Sequence, residues 1–203
     1  MVTGALILIN VAAYVVLGVA GSNMMQIDVG FVRMFGLSRE GLTSGGLWQP
    51  ITSLFFHFDI AHLGYNMIFL ALFGPKGEEL YGRGRFLAIY ITSGLFASLA
   101  FLLYPPESIS AGASGAIFGI LGANLVALRG KYPGGIKNAI LYGFFFFILA
   151  KSTGFAAHLG GLVFGFAVGY VITRDWYQGT DEKVELEEGD IEALENEMER
   201  MKD

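Results

Sequence analysis

The sequence predicts an all-α membrane protein, a bundle of six transmembrane helices with a membrane-interfacial first loop. Three observations carry this expectation. The mean hydropathy is +0.55 and only 15% of residues are charged, whereas soluble domains run nearer 25%. Six apolar segments stand out, at roughly 4–20, 60–74, 86–104, 112–129, 136–150 and 155–173. Glycine makes up 29 of the 203 residues, about twice the ~7% background. Extra glycine without proline-rich or repeat character fits helices packed closely in lipid.

The first segment, GALILINVAAYVVLGVA, has no basic stretch before it and no clear small-x-small cleavage site. It reads as a retained helix and not as a removed signal peptide. A long connection, 21–59, follows. It contains Met24, Met25, Phe31, Phe35, Leu37, Trp48, Phe55 and Phe56. So apolar a loop is expected to lie in the interface plane, with Trp48 at headgroup depth. Segments two and five fall short of the ~17–20 residues a span requires and need their flanks, or shelter from neighbouring protein.

Loop charges set the orientation. Lys76, Arg83 and Arg85 lie between segments two and three, Arg129, Lys131 and Lys137 between four and five, and Arg174 after six. The other side carries Arg33, Arg39 and Lys151. The positive-inside rule then makes both termini cytoplasmic, with segments two, four and six entering from the outside. The expected division is a six-helix core over 1–175 and an acidic cytoplasmic tail over 176–203. Residues 181–203 hold 11 acids and 3 bases. Ile191, Leu194 and Met198 recur there at helical spacing, but a disordered acidic end is the favoured reading. With no cysteines, disulfides, thiolate metal sites and a cysteine nucleophile are excluded.

Polar groups within apolar segments are costly, so each asks for a reason. The chain has three histidines, His57, His62 and His158. Ser114 opens segment four, His158 lies near the start of segment six, and His62 and Asn66 open segment two. All three segments start outside, which sets these side chains at one level, roughly 3–10 Å below the outer helix ends at 1.5 Å per residue. His158, Gly161, Gly165 and Gly169 share a helix face, and Gly112, Gly115, Gly119 and Gly122 are similarly spaced on segment four. Close packing of segments four and six would bring the Ser114 hydroxyl to His158, the nucleophile–base relation of acyl transfer. His62 and Asn66, at i and i+4, can aim donors at one point. With the Ser114 amide at a helix N-terminus they form a candidate oxyanion hole. No carboxylate is available to orient the histidine, so a dyad is expected, with Phe118 one turn below Ser114 able to stack on the His158 ring.

GASG (112–115), HFDIAHLGYN (57–66) and AAHLGGLVFG (156–165) resemble, in order and spacing, the signature elements of rhomboid intramembrane serine proteases. The resemblance covers roughly 45–173. It implies a rhomboid-like bundle with Ser114 as nucleophile, His158 as general base, and His62 and Asn66 at the oxyanion. His57 would be structural, bonding loop backbone, and Gly112, Gly115, Phe118, Gly161 and Gly165 would be supporting. The implied activity is cleavage of single-span membrane proteins near the outer end of their helices, in the lipid bilayer, with no cofactor, no metal and no nucleic acid. The implied location is a prokaryotic cell membrane, as a multi-pass protein. One departure is Trp48-Gln49-Pro50, where many bacterial members carry Trp-Arg; the role of that arginine is absent here or supplied otherwise. The phenylalanines at 144–147 read as lipid-facing bulk, and the resemblance alternatively makes segment five a gate against segment two.

Other readings weigh against these. Alone, Ser114 is a packing residue, His158 an interfacial one and Asn66 a helix–helix hydrogen bond. Asn10 and Tyr14 carry no more than that. Three histidines permit a zinc site, but no HExxH and no carboxylate base accompany them. A catalytically inactive rhomboid-like helix-binding protein would ordinarily lack the serine or the histidine, and both are present. A channel or transporter would need polar groups along a path and not at one outer level.

Overall fold

The computed structural model describes residues 1–149 and 154–176, and these are mainly helical. Helix α1 is Val2–Ala20. The first loop holds α2 (Val29–Phe35), β1 (Leu37–Ser38), α3 (Arg39–Thr43) and α4 (Gln49–Thr52). Helix α5 is Ile60–Ala100, followed by β2 (Ile109–Ser110), α6 (Ser114–Ala127), α7 (Gly135–Leu149) and α8 (Phe155–Thr173). Residues 177–203, including the periodic Ile191, Leu194 and Met198, lie outside the described residues.

Segments two and three are one helical run bent at Gly82 (φ 73°, ψ 163°). Only glycine adopts that backbone readily. The first half continues to residue 81 and not to 74, because the polar end of the segment is held. The Glu78 carboxylate accepts hydrogen bonds from Val2 N, Thr3 N and Thr3 Oγ1 at 2.9–3.1 Å. Lys76 pairs with Glu79. Glu78 thus supplies the cap that α1 lacks from its own N-cap residue, Met1.

Segment four is corrected in the other direction. The apolar run 112–129 becomes a helix of 14 residues. Gly112 has φ 112°, outside helical space, and the helix starts only at Ser114. Its rise of about 21 Å is less than the ~30 Å of a hydrocarbon core. Protein and not lipid covers it, since nearly every residue from Gly115 to Ala127 is buried. Among the described residues, α1 and 155–176 are long and apolar enough to cross a membrane by themselves.

The packing explains the glycines. A Cβ at Gly161 or Gly165 would overlap the carbonyl oxygen of Gly115 or Gly119, so α8 lies directly against α6 and runs parallel to it. On α6 the expectation needs refining. Added Cβ atoms at Gly115 and Gly119 would strike Ala97 and Ser93 of α5. Gly115 and Gly119 therefore admit α5 while their carbonyls receive the α8 glycines, and Gly122 admits α8, where a Cβ would stand 2.5 Å from Leu162 O. Helix α7 packs on this core through Ala139 and Gly143, against Leu121, Leu125, Leu162 and Phe166. Phe144 and Phe145 are exposed. So are Leu8, Val16, Ile68, Leu72, Val163 and Val171, an apolar exterior suited to lipid.

The first loop is less free than its composition suggests. Leu37 and Phe56 are buried, and Phe31, Phe35 and Phe55 pack on the core. Much of the loop's apolarity thus faces protein, while Met24, Met25 and Trp48 stay exposed. Backbone bonds Ile27 N to Phe58 O and Ile60 N to Met25 O close it. Pairing of β1 with β2, Leu37 opposite Ser110, ties it to the strand just before Gly112.

Two ends of the bundle emerge. At one lie Met1, the Gly82 bend and Arg83, with Tyr81 near Trp176 and Arg129 bonded to Thr173. At the other lie Ser114, His158 and the first loop.

Candidate active site

Ser114 is the first residue of α6 and His158 sits in the first turn of α8. Because the two helices run parallel with glycine contacts beneath, both side chains emerge at the same end. His158 Nε2 and Ser114 Oγ are 2.6 Å apart. The His158 ring lies over Phe118 at 4.7 Å between centroids and 22° between planes. Nδ1 has no hydrogen-bond partner among the described residues. The ring is therefore held by stacking on one face and by the serine at one nitrogen.

A second group comes from α5. Asp59 caps this helix by accepting from His62 N at 2.7 Å, which fixes the turn carrying His62. Phe58 stacks on the His62 ring, 20° between planes. Asn66, 5% exposed, uses one Nδ2 hydrogen on His62 O at 2.9 Å and keeps the other. Both side chains face Gly112. A Cβ there would stand 2.7 Å from His62 Nε2 and 3.7 Å from Asn66 Nδ2. Gly112 is thus required twice, for its left-handed φ and for the space beside His62. Its N–H is held by Ser53 O at 2.8 Å.

His57 is buried behind this group. Ala113 N points at His57 Nε2 across 3.5 Å, and the ring meets His62 edge-on at 5.1 Å. Burial, and then the His62 ring, push the His57 imidazole down to about 3. A neutral imidazole so placed can accept from the loop backbone at Ala113.

All the predicted residues are drawn together. Ser114, His158 and Phe118 form one cluster, His62, Asn66 and Gly112 another, and only Ala113 separates Gly112 from Ser114 along the chain. Gly115, Gly161 and Gly165 form the floor between α6 and α8. Sequence reasoning left Gln49 without a role. Its side chain is 2% exposed. Oε1 accepts from Ser38 N at 3.0 Å and Nε2 donates to Arg33 O at 2.9 Å. This neutral amide joins α2, β1 and α4 and organises the first loop. Gly41 leaves the room for it. Tyr104 and Arg39 were also missed. Arg39 Nη2 donates to Tyr104 O at 3.0 Å, and Ala156 N donates to the Tyr104 hydroxyl at 2.9 Å. An aromatic before two prolines carries no sequence signal of such a role.

A family model for the rhomboid domain matches residues 44–175. The chain is 40% identical over 143 residues to "Rhomboid protease GluP" of Bacillus subtilis (strain 168), covering 65% of this chain and 27% of that protein. It is 33% identical over 143 residues to "RHOMBOID-like protein 6, mitochondrial" of Arabidopsis thaliana, covering 66% and 47%. It is 33% identical over 134 residues to "Rhomboid-like protease 3" of Toxoplasma gondii, covering 60% and 50%. The chain thus spans from about a quarter to half of the length of these relatives. The matched region contains every side chain of the two clusters, and on that ground the chain belongs to the rhomboid family of helical integral membrane proteins.

Proposed function

We propose that the chain is an intramembrane serine endopeptidase of six spans. It would cut the transmembrane helices of single-span proteins near their outer end through a Ser114–His158 dyad. The observation that carries this reading is the 2.6 Å approach of Ser114 Oγ to His158 Nε2 beside the His62–Asn66 pair. An unwound stretch of substrate helix presents its carbonyl carbon to Ser114 Oγ. As the C–O bond forms, the hydroxyl proton passes to His158 Nε2, a nitrogen already within transfer distance. The carbonyl oxygen becomes an oxyanion. Its donors are the Ser114 N–H, which has no acceptor in the first turn of its helix, with Asn66 Nδ2 and His62 Nε2–H. Collapse breaks the C–N bond, and His158 returns the proton to the leaving amine. Water then attacks the acyl-enzyme by the same route, with His158 again taking the proton. No carboxylate is called on, since Phe118 holds the imidazole orientation that an acid provides in a triad.

The test uses purified protein in detergent or vesicles with a generic transmembrane substrate. Wild type should cleave it and react with a fluorophosphonate at Ser114. Ser114→Ala should abolish both, and His158→Ala should slow both by at least about 10³-fold, as losses within such units do. Cleavage that survives Ser114→Ala would sink the mechanism, and so would labelling indifferent to His158→Ala.

A further inference from the structure

Helix α8 carries the proposed base, and its N-cap residue supplies no side-chain cap. Its N-cap position is Gly154, which offers no side-chain acceptor. Serine, aspartate or asparagine usually fills such a position and accepts from the second or third amide of the helix. Here a side chain is obstructed. A Cβ at residue 154 would stand 3.1 Å from His158 Nε2 and 3.4 Å from its Cε1, pressing on the nitrogen that faces Ser114. The second amide of the helix, Ala156 N–H, is nevertheless satisfied. It donates to the Tyr104 hydroxyl at 2.9 Å, from 52 residues away.

Tyr104 is itself fixed on two further sides. Its ring stacks on that of buried Phe101, 6.0 Å between centroids and 21° between planes. Its carbonyl accepts from Arg39 Nη2 at 3.0 Å. His158 closes this same first turn, and its own N–H makes the 2.9 Å bond to Gly154 O that opens the helical ladder. The turn that Tyr104 holds is thus the turn that carries the imidazole.

We infer that Tyr104 is a positioning residue for His158. Its hydroxyl is the N-cap acceptor of α8, supplied from another element at a helix start where a Cβ on residue 154 would crowd the base's own ring. Arg39 extends the chain of contacts from the first loop to the base. This inference rests on the Ser114–His158 reading.

The experiment is Tyr104→Phe, which deletes one oxygen and keeps the ring on Phe101. An N-cap contributes about 1 kcal/mol, so kcat and the fluorophosphonate labelling rate should fall about fivefold. KM should stay within about twofold, since no ground-state contact is removed. Hydrogen exchange should speed up in peptides covering 155–158 and stay unchanged in α6. A second variant, Gly154→Ser in the Tyr104→Phe background, should restore exchange protection at that turn without restoring turnover, because its side chain crowds His158. Labelling of Tyr104→Phe at the wild-type rate would overturn the proposal, as would a kcat loss with no local change in exchange. Failure of the underlying reading looks different: wild type would then show no labelling that depends on Ser114, while the exchange difference at 155–158 would persist.

Discussion

Two buried histidines in this chain have opposite proposed roles. His158 meets Ser114 and, in the proposed mechanism, takes and returns a proton. His57 meets the Ala113 amide and must stay neutral. Burial, and next the His62 ring, push the His57 imidazole down to about 3 from an ordinary value near 6.5. Between those values the unfolded chain binds a proton that the folded chain refuses. The stability linked to His57 is therefore complete above about pH 6.5 and is lost as pH falls toward 3. The thermal midpoint in detergent should drop between about pH 7 and pH 4, and His57→Asn, which keeps an acceptor, should flatten that slope. An unchanged slope would remove His57 from the account. At this scale the sequence was highly legible for residues whose chemistry is out of place in lipid: Ser114, His158, His62 and Asn66 each stood out as a polar group within an apolar segment. Tyr104 and Gln49 were not legible. A tyrosine in a loop is unremarkable as letters, and an amide can bond to any backbone nearby. Their roles come from what the fold sets 2.9–3.0 Å away.

Elements were legible where hydropathy alone decides them and misread where polar residues are satisfied by tertiary contacts. Helix α8 matches its apolar run, 155–173. Helix α5 runs on past Pro75 into charged residues because Glu78 is spent on the start of α1. Helix α6 falls short of its apolar run because Gly112 is left-handed. The small-residue faces were read correctly as packing, but which helix each face admits is a property of the assembled bundle. This distinction can be measured. In Gly161→Ala or Gly165→Ala the new methyl would overlap a backbone carbonyl of α6, and backbone cannot step aside as a side chain can. Each should lower unfolding free energy in mixed micelles by about 1–3 kcal/mol, the range for overpacking, and should cut cleavage by moving His158 from Ser114. Gly160→Ala, one residue away, places its methyl 3.4 Å from Ala100 Cβ and should be nearly neutral in both. Equal effects at 160 and 161 would show that helix propensity, and not the α6 contact, governs the stripe.

At the scale of the whole molecule, charge and geometry agree on which residues share an end. Lys76, Arg83 and Arg85 flank the bend at Gly82, Arg129 and Lys131 follow α6, and Arg174 follows α8. Arg129 joins two of these sites directly, its guanidinium bonding Thr173 Oγ1 at 2.7 Å and Thr173 O at 2.8 Å. The start of α1 lies at the same end, held by Glu78. The basic loops that the sequence scattered over a hundred residues are therefore one basic rim, and Ser114 and His158 face away from it. Short basic loops are retained on the cytoplasmic side, so this rim, and with it both ends of the helical core, should be cytoplasmic, and the site should open toward the outer leaflet. An export-dependent phosphatase fused after residue 203 should be silent in a bacterial host, while a fluorescent protein fused there should be bright. The same phosphatase inserted in the first loop after Gly45, a left-handed glycine with open space around its Cα, should be active. Replacing Lys76, Arg83 and Arg85 together should weaken this asymmetry and raise the phosphatase signal at the C-terminal fusion. A bright phosphatase on the unaltered core would invert the molecule, and cleavage would then have to occur near the cytoplasmic end of the substrate helix.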